Sequence, residues 1–371
     1  MRFLKGFFWV TLLCLGLMGV KTVEAQTNNE TSFEAKVEKV TEEKQIEIEG
    51  QKQLYQKLEL KVLTGQEKDQ TITVENGNQA MANVTKYEVG QRVIVTKDNS
   101  PDGTEFYSIT DFVRRDSLWV LAVIFVVLTI LIGKWKGLMS ILSMVFTFVV
   151  VFVYVLPNLS NGTNPILVAT IASVIIIPIS FYMAHGISQK TTVAIVSSIV
   201  ALAVTAVLSL MFISLGRLTG LSSEEAGMLL VQRSGNFDMK GLLLCGIIIG
   251  ALGVLDDITI SQAAIVNELI KGSEKPKGSV IYKQAMNVGR DHISSMVNTL
   301  VLAYAGVSLP LLLIFINNPH SFGEIVNYEF MAEEIIRTLV GSIGLILAVP
   351  ITTIIAVNWI RKDKNDKLAK K

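Results

Sequence analysis

Within its 371 residues the chain has only two cysteines, three histidines and eight prolines, and only 18% of it is charged. Cys14 and Cys245 both sit in apolar runs, so no disulfide framework is available. The histidines and cysteines form no cluster with ligand spacing, and there is no Ser-His-Asp arrangement, so neither a metal centre nor a cofactor is expected. A net charge of +1 leaves no bulk basicity for nucleic acid. What the chain does have is hydrophobic residues, at 50% of the total, which for this length indicates a polytopic α-helical membrane protein.

The start is basic (Arg2, Lys5), then apolar from Phe7 to Val20, and ends in Val23-Glu24-Ala25, a signal-peptide pattern over 1–25; an uncleaved signal anchor is the alternative. Leu13 stands before Cys14 where a lipoprotein needs a small residue, which argues against that reading. By the ~20-residue criterion about seven segments span a bilayer: 117–133, 137–156, 164–184, 191–215, 240–263, 291–316 and 335–360. Lys134, Lys136, Lys190, Lys271, Lys275, Lys277, Lys283 and Arg290 fall in loops on one side, as does the basic tail 361–371. Loops 157–163 and 317–334 have no Lys or Arg, and only Arg217, Arg233 and Lys240 oppose the bias. The positive-inside rule then makes the C-terminus cytoplasmic and residues 26–116 extracytoplasmic. The expected molecule is a cell-membrane protein with a transmembrane domain over 117–360 and a small all-β N-terminal domain.

That N-terminal domain breaks into short alternating runs at 33–40, 44–50, 54–64, 70–75, 91–97 and 105–112, with a Pro101-Asp102-Gly103 turn. Six short strands suggest a small open barrel of OB type.

Inside the apolar run from 241 onward stand Asp256 and Asp257. An Asp at mid-membrane costs ~3 kcal/mol, while about nine aliphatic residues between Leu242 and Leu255 return roughly 4–5 kcal/mol together. Two lipid-facing acids would cancel that drive, so they face protein or water, or lie off-centre. Helical phase puts Asp257 with Ser261, and Asp256 with Thr259 and Gln262. Gly246, Gly250 and Gly253 make a small-residue face upstream. In the next apolar segment Asn287, Asp291, Ser294 and Asn298 share a narrow arc flanked by Arg290, opposite Ile293, Met296, Val297 and Leu300. Similar depths lead us to expect one polar site between the fifth and sixth spans. A structural hydrogen-bond network between the two helices is the plainer alternative. Pro178, Pro310 and Pro350 each interrupt a span; His185 and His320 read as solvated; 221–233 reads as a short amphipathic surface helix with Ser222 as its cap.

The stretches Gly253-Val-Leu-Asp-Asp-Ile-Thr-Ile-Ser-Gln262 and Asn287-Val-Gly-Arg-Asp-His-Ile-Ser-Ser-Met-Val-Asn-Thr-Leu300 resemble the YibE/F family of bacterial multi-pass membrane proteins. The resemblance covers most of the chain and implies an architecture, a β-rich outer region on a membrane bundle, without implying an activity. From the residues themselves we expect a permease that handles a small solute or ion. The alternative is an assembly or sensing protein whose outer β-domain binds a partner. Besides the lipid bilayer, a homo-oligomer or a membrane partner protein is expected. An enzyme is not expected, because the GxGD pattern of intramembrane aspartyl proteases and a full DDxxD motif are both missing.

Overall fold

The computed structural model describes residues 32–65, 67–80, 83–99, 105–232, 237–274, 277–316 and 321–369. The signal-like segment with Cys14, the Pro101-Asp102-Gly103 turn and His320 lie outside the described residues. One compact unit runs up to Leu128 and another from Thr129 onward.

The first unit is an antiparallel sheet of β1 (Ser32–Ile48), β2 (Gln51–Val62), β3 (Thr71–Asn76), β4 (Arg92–Asn99) and β5 (Glu105–Phe112), in the order β3-β2-β1-β4-β5. Strict alternation drives it: Ala35, Val37, Leu58, Leu60, Val62, Val93 and Val95 are fully buried, while residues between them face out. The unpaired edges β3 and β5 approach each other, which makes a partly open barrel. The runs 33–40 and 44–50, expected as two strands, are one. Register shifts at Val37/Lys39 and Val40/Glu42 mark bulges that bend β1 without ending it. The reversal comes instead at Glu49 and Gly50, both with positive φ. Gln56, wholly buried, clamps the segment before β4: its Oε1 accepts from Tyr87 N (2.8 Å) and its Nε2 donates to Tyr87 O (3.0 Å).

The helices are α1 (Arg115–Val150), a π-helical turn (Val151–Val155), α2 (Leu156–Ser160), α3 (Pro165–His185), α4 (Gln189–Leu215), α5 (Glu224–Gln232), α6 (Met239–Gly272), α7 (Gly278–Val307), α8 (Leu309–Ile316), α9 (Phe322–Ile325) and α10 (Glu329–Ala369). Among the described residues, five stretches are long and apolar enough to cross a membrane: 115–160, α3, α4, α6 and 329–364. The first holds both expected segments 117–133 and 137–156. Lys134 breaks it with φ 50° and ψ −133°, and a Cβ on Gly137 would stand 2.1 Å from Thr129 O, so the chain folds back tightly there. The expected segment 291–316 is also differently built. α7 begins earlier, at Gly278, its polar arc lowers its hydropathy, and it ends at Val307. Pro310 therefore opens α8 rather than kinking a span, a position where its missing N–H costs nothing.

α4, α6 and α10 pack on one another and form the centre of the second unit, flanked by α3 and α7. Asn164 and Ser188 cap α3 and α4 by accepting backbone N–H bonds, as Asp238 does for α6. α5 is capped by Ser223, which accepts from Ala226 N; Ser222, expected as the cap, instead donates to Glu333 on α10.

Candidate functional site

Three pairings fix the register of the central helices. Thr259 Oγ1 on α6 lies 2.7 Å from Ser198 Oγ on α4; because the Thr259 hydroxyl donates to Leu255 O, Ser198 is the donor between them. Gln262 Nε2 donates to Thr353 Oγ1 on α10 (2.8 Å) and to Ala285 O on α7 (3.1 Å). Gly344 on α10 meets α4 so closely that a Cβ would stand 2.2 Å from Thr205 Oγ1. Gly289 does the same for α7, where a Cβ would stand 2.6 Å from Val349 Cγ1 and 3.1 Å from either amide atom of Gln262.

These contacts form a polar seam through an otherwise aliphatic bundle. Ser197, Ser198, Thr205, Thr259, Gln262, Thr352 and Thr353 are all essentially fully buried. Most hydroxyls along it are satisfied by the carbonyl one turn back: Ser197 on Val193, Thr205 on Ala201, Thr353 on Val349. Four buried oxygens are not. Asp256 Oδ1, Gln262 Oε1, Ser342 Oγ and Thr352 Oγ1 have no hydrogen-bond partner among the described residues. Each such group costs ~1–3 kcal/mol when left unpaired. The Gln262 assignment is chemically forced, since Ala285 O can only accept and so must face the Nε2 side. Asp256 and Gln262 lie six residues apart on α6, and Ser342 and Thr352 ten apart, roughly 15 Å, on α10.

The expected site residues divide among three surroundings. Asp256, half-buried, belongs to the seam together with Thr259 and Gln262. Asp257 is exposed and Ser261 half-buried; Asp257 continues the open face of Gly246, Gly250 and Gly253, where an added Cβ would meet nothing within 4 Å. Asn287, Arg290, Asp291, Ser294 and Asn298 are exposed, because Ile293, Met296, Val297 and Leu300 turn toward the core. Arg290 Nη1 donates to Asn287 Oδ1 (3.3 Å) within its own helix. Among the described residues, no hydrogen bond or ion pair joins the polar arc of α7 to the acids of α6 within one subunit. The chain's helical phase shows which residues share a face, but which neighbour a face meets depends on packing.

Ser198, Ser342, Thr352 and Thr353 were not singled out from the sequence. The available signal was the heptad-like recurrence of small hydroxyls in apolar helices, as at Ser198, Thr205 and Ser209. A second missed cluster ties the start of α10 to the segment before α5. Glu329 accepts from the Thr219 hydroxyl (2.8 Å) and Gly220 N (3.0 Å), and Arg337 pairs with Glu333 (2.6 Å) and Glu334 (3.1 Å). A cavity of 430 Å³ between α1 and α3, lined by Trp135, Met139, Tyr182 and His185, is mostly apolar and contains none of the expected site residues.

No curated protein and no solved structure matches the chain. The sheet coincides with a family model described as the YibE/F family N-terminal domain, matched over residues 31–112. The helical unit, seam included, is matched over residues 121–362 by the model described as YibE/F-like protein. The chain belongs to the YibE/F-like family.

Proposed function

We propose that this protein is a permease, and that the seam between α4, α6 and α10 carries a proton or a small cation past Asp256. One observation carries the reading: Asp256 holds a buried carboxylate oxygen with no hydrogen-bond partner among the described residues, on a helix whose Gln262, like Ser342 and Thr352 of the adjoining α10, also has a buried oxygen left unpaired. Ionised Asp256 and the Gln262 Oε1 can only accept hydrogen bonds, so they call for a donor or a cation, not an anion. Carboxylate, amide and hydroxyl oxygens are the ligand types hard cations take.

The topology we infer alongside has seven crossings. A continuous helix of the 46 residues from Arg115 to Ser160 would be ~69 Å long, more than twice the hydrocarbon thickness, so the break at Lys134 separates two spans. Gln262 holds α7 alongside α6, which supports α7 with α8 as a further crossing. An odd number of crossings puts the β-domain outside and the basic tail in the cytoplasm, in line with the loop charges.

Purified protein in proteoliposomes under imposed proton, sodium or potassium gradients tests the reading. Asp256→Asn is expected to lower flux at least ~10-fold, equivalent to ~1.4 kcal/mol of barrier, without loss of insertion. If Asp256→Asn and Asp257→Asn both insert and conduct every ion like the unmodified chain, the seam is structural and transport through it is wrong.

A further inference from the structure

Each subunit leaves two polar faces uncovered beside its core. On α7 the exposed face carries Asp291, Ser294 and Asn298, with Arg290 on its flank, turned away from the residues that pack inward. On α6 it carries Gly246, Gly250, Gly253 and Asp257. Among the described residues neither Asp257 nor Arg290 nor Asp291 has an ion-pair partner. Lipid is a poor cover for either face, since charged side chains on membrane helices turn to protein or water.

The two faces complement each other. Gln262 sits level with the stretch from Ala285 to Gly289, and α7 runs antiparallel to α6. Asp257 is five residues from Gln262, ~7.5 Å toward the Met239 end, so it falls within about one turn of both Arg290 and Ser294. A two-fold axis along the membrane normal preserves depth. Groups level within one subunit therefore remain level across such an interface. The glycines allow a close approach, and the small polar side chains of α7 suit that approach.

We propose that a second copy of this chain covers both faces: α7 of each copy packs on the glycine face of α6 of the other, with Arg290 against Asp257 of the partner subunit. The contact is isologous, each copy offering its α7 arc to α6 of the other. The five N–H donors of Arg290 serve its own Asp291 and Asp257 of the partner subunit together. The arc on α7 and the acid on α6 expected to share a site do so here, across two subunits.

The inference is independent of what the seam conducts, and its test reads contact rather than flux. Two differently tagged full-length chains, both Cys14→Ser and Cys245→Ala, are co-expressed, one with Asp257→Cys and the other with Arg290→Cys. Oxidation in native membranes should give a disulfide-linked band carrying both tags. The band should be missing when Val207→Cys, an exposed apolar position on α4, replaces either partner. Asp257→Arg and Arg290→Asp should each abolish the dimer recovered from mild detergent, and the double variant should restore it. Three outcomes overturn the proposal: cross-linking no greater than with the Val207 control, a product containing a different membrane protein, or rapid labelling of both cysteines by a membrane-impermeant maleimide, which would mean that water covers the faces.

Discussion

Glu67 and Asp256 show how differently two carboxylates are treated along this chain. Glu67 accepts from Lys97 Nζ at 2.7 Å and from Tyr107 Oη at 3.0 Å. The hydrogen bond from Lys97, helped by that from Tyr107, holds the Glu67 carboxyl below its ordinary value of 4.5. Lys97 is raised in turn, first by Glu67 and then by Glu105. A carboxyl lowered on folding adds stability that is complete above its unfolded value and disappears as pH falls through the folded one. The sheet should therefore hold this contribution at neutral pH and lose it below about pH 4.5, as the unfolded chain takes up the proton first. Amide exchange of β2 through β5 in the full chain, followed from pH 6 downward, checks this. Glu67→Gln should exchange faster at pH 6 and show a shallower acid dependence; an unchanged slope would rule Glu67 out. Asp256 has no such cation, and its buried Oδ1 has no hydrogen-bond partner among the described residues. That contrast is why Asp256, and not Glu67, carries the proposed function.

At the scale of elements, approach distance decides what α4, α6 and α10 can do. Gly344 lets α10 rest on Thr205, whose Cβ would be only 3.2 Å from a new Cβ at that position. Gly344→Val should therefore push α4 from α10 and lower the stability of the purified protein by ~1–3 kcal/mol, the usual cost of overpacking a close contact. Thr205→Ala, which removes the Oγ1 that the new side chain hits first, should recover part of the loss. If thermal unfolding in detergent shows no recovery, the clash lies elsewhere. This close approach was not legible in the sequence, where Gly344 is one glycine among 27. The acids were legible, because charge inside an apolar run is an energetic anomaly. Ser198 and Thr352 were not, because a Ser or Thr bonded to its own helix resembles any other small residue. The β-domain was legible in its alternation. The bulges that join 33–40 to 44–50 were not, since a bulge disturbs alternation much as a turn does.

For the whole molecule, the number of crossings decides how the chain threads the bilayer. Apolar length alone distinguishes five stretches, and two features of the fold support the seven crossings we propose. The 115–160 stretch folds back at Lys134, and α7 is held beside α6 although its own composition is too polar to qualify. A helix with one polar face becomes a span only when something covers that face, so the crossing count and the paired-subunit arrangement depend on each other. Single cysteines at Lys136, Gly162 and Lys271, in a background of Cys14→Ser and Cys245→Ala, separate the alternatives. With Lys134 as a turn between two spans, an impermeant maleimide added to whole cells should label Gly162→Cys alone. Lys136→Cys and Lys271→Cys should react only after the membrane is opened. If 115–160 crosses once instead, Lys136→Cys and Gly162→Cys cannot be resolved to opposite faces, and every later segment reverses its orientation. Lys271→Cys would then be labelled from outside, against the charge bias of its loop. The sidedness of that one lysine thus reads the turn at Lys134 from more than a hundred residues away.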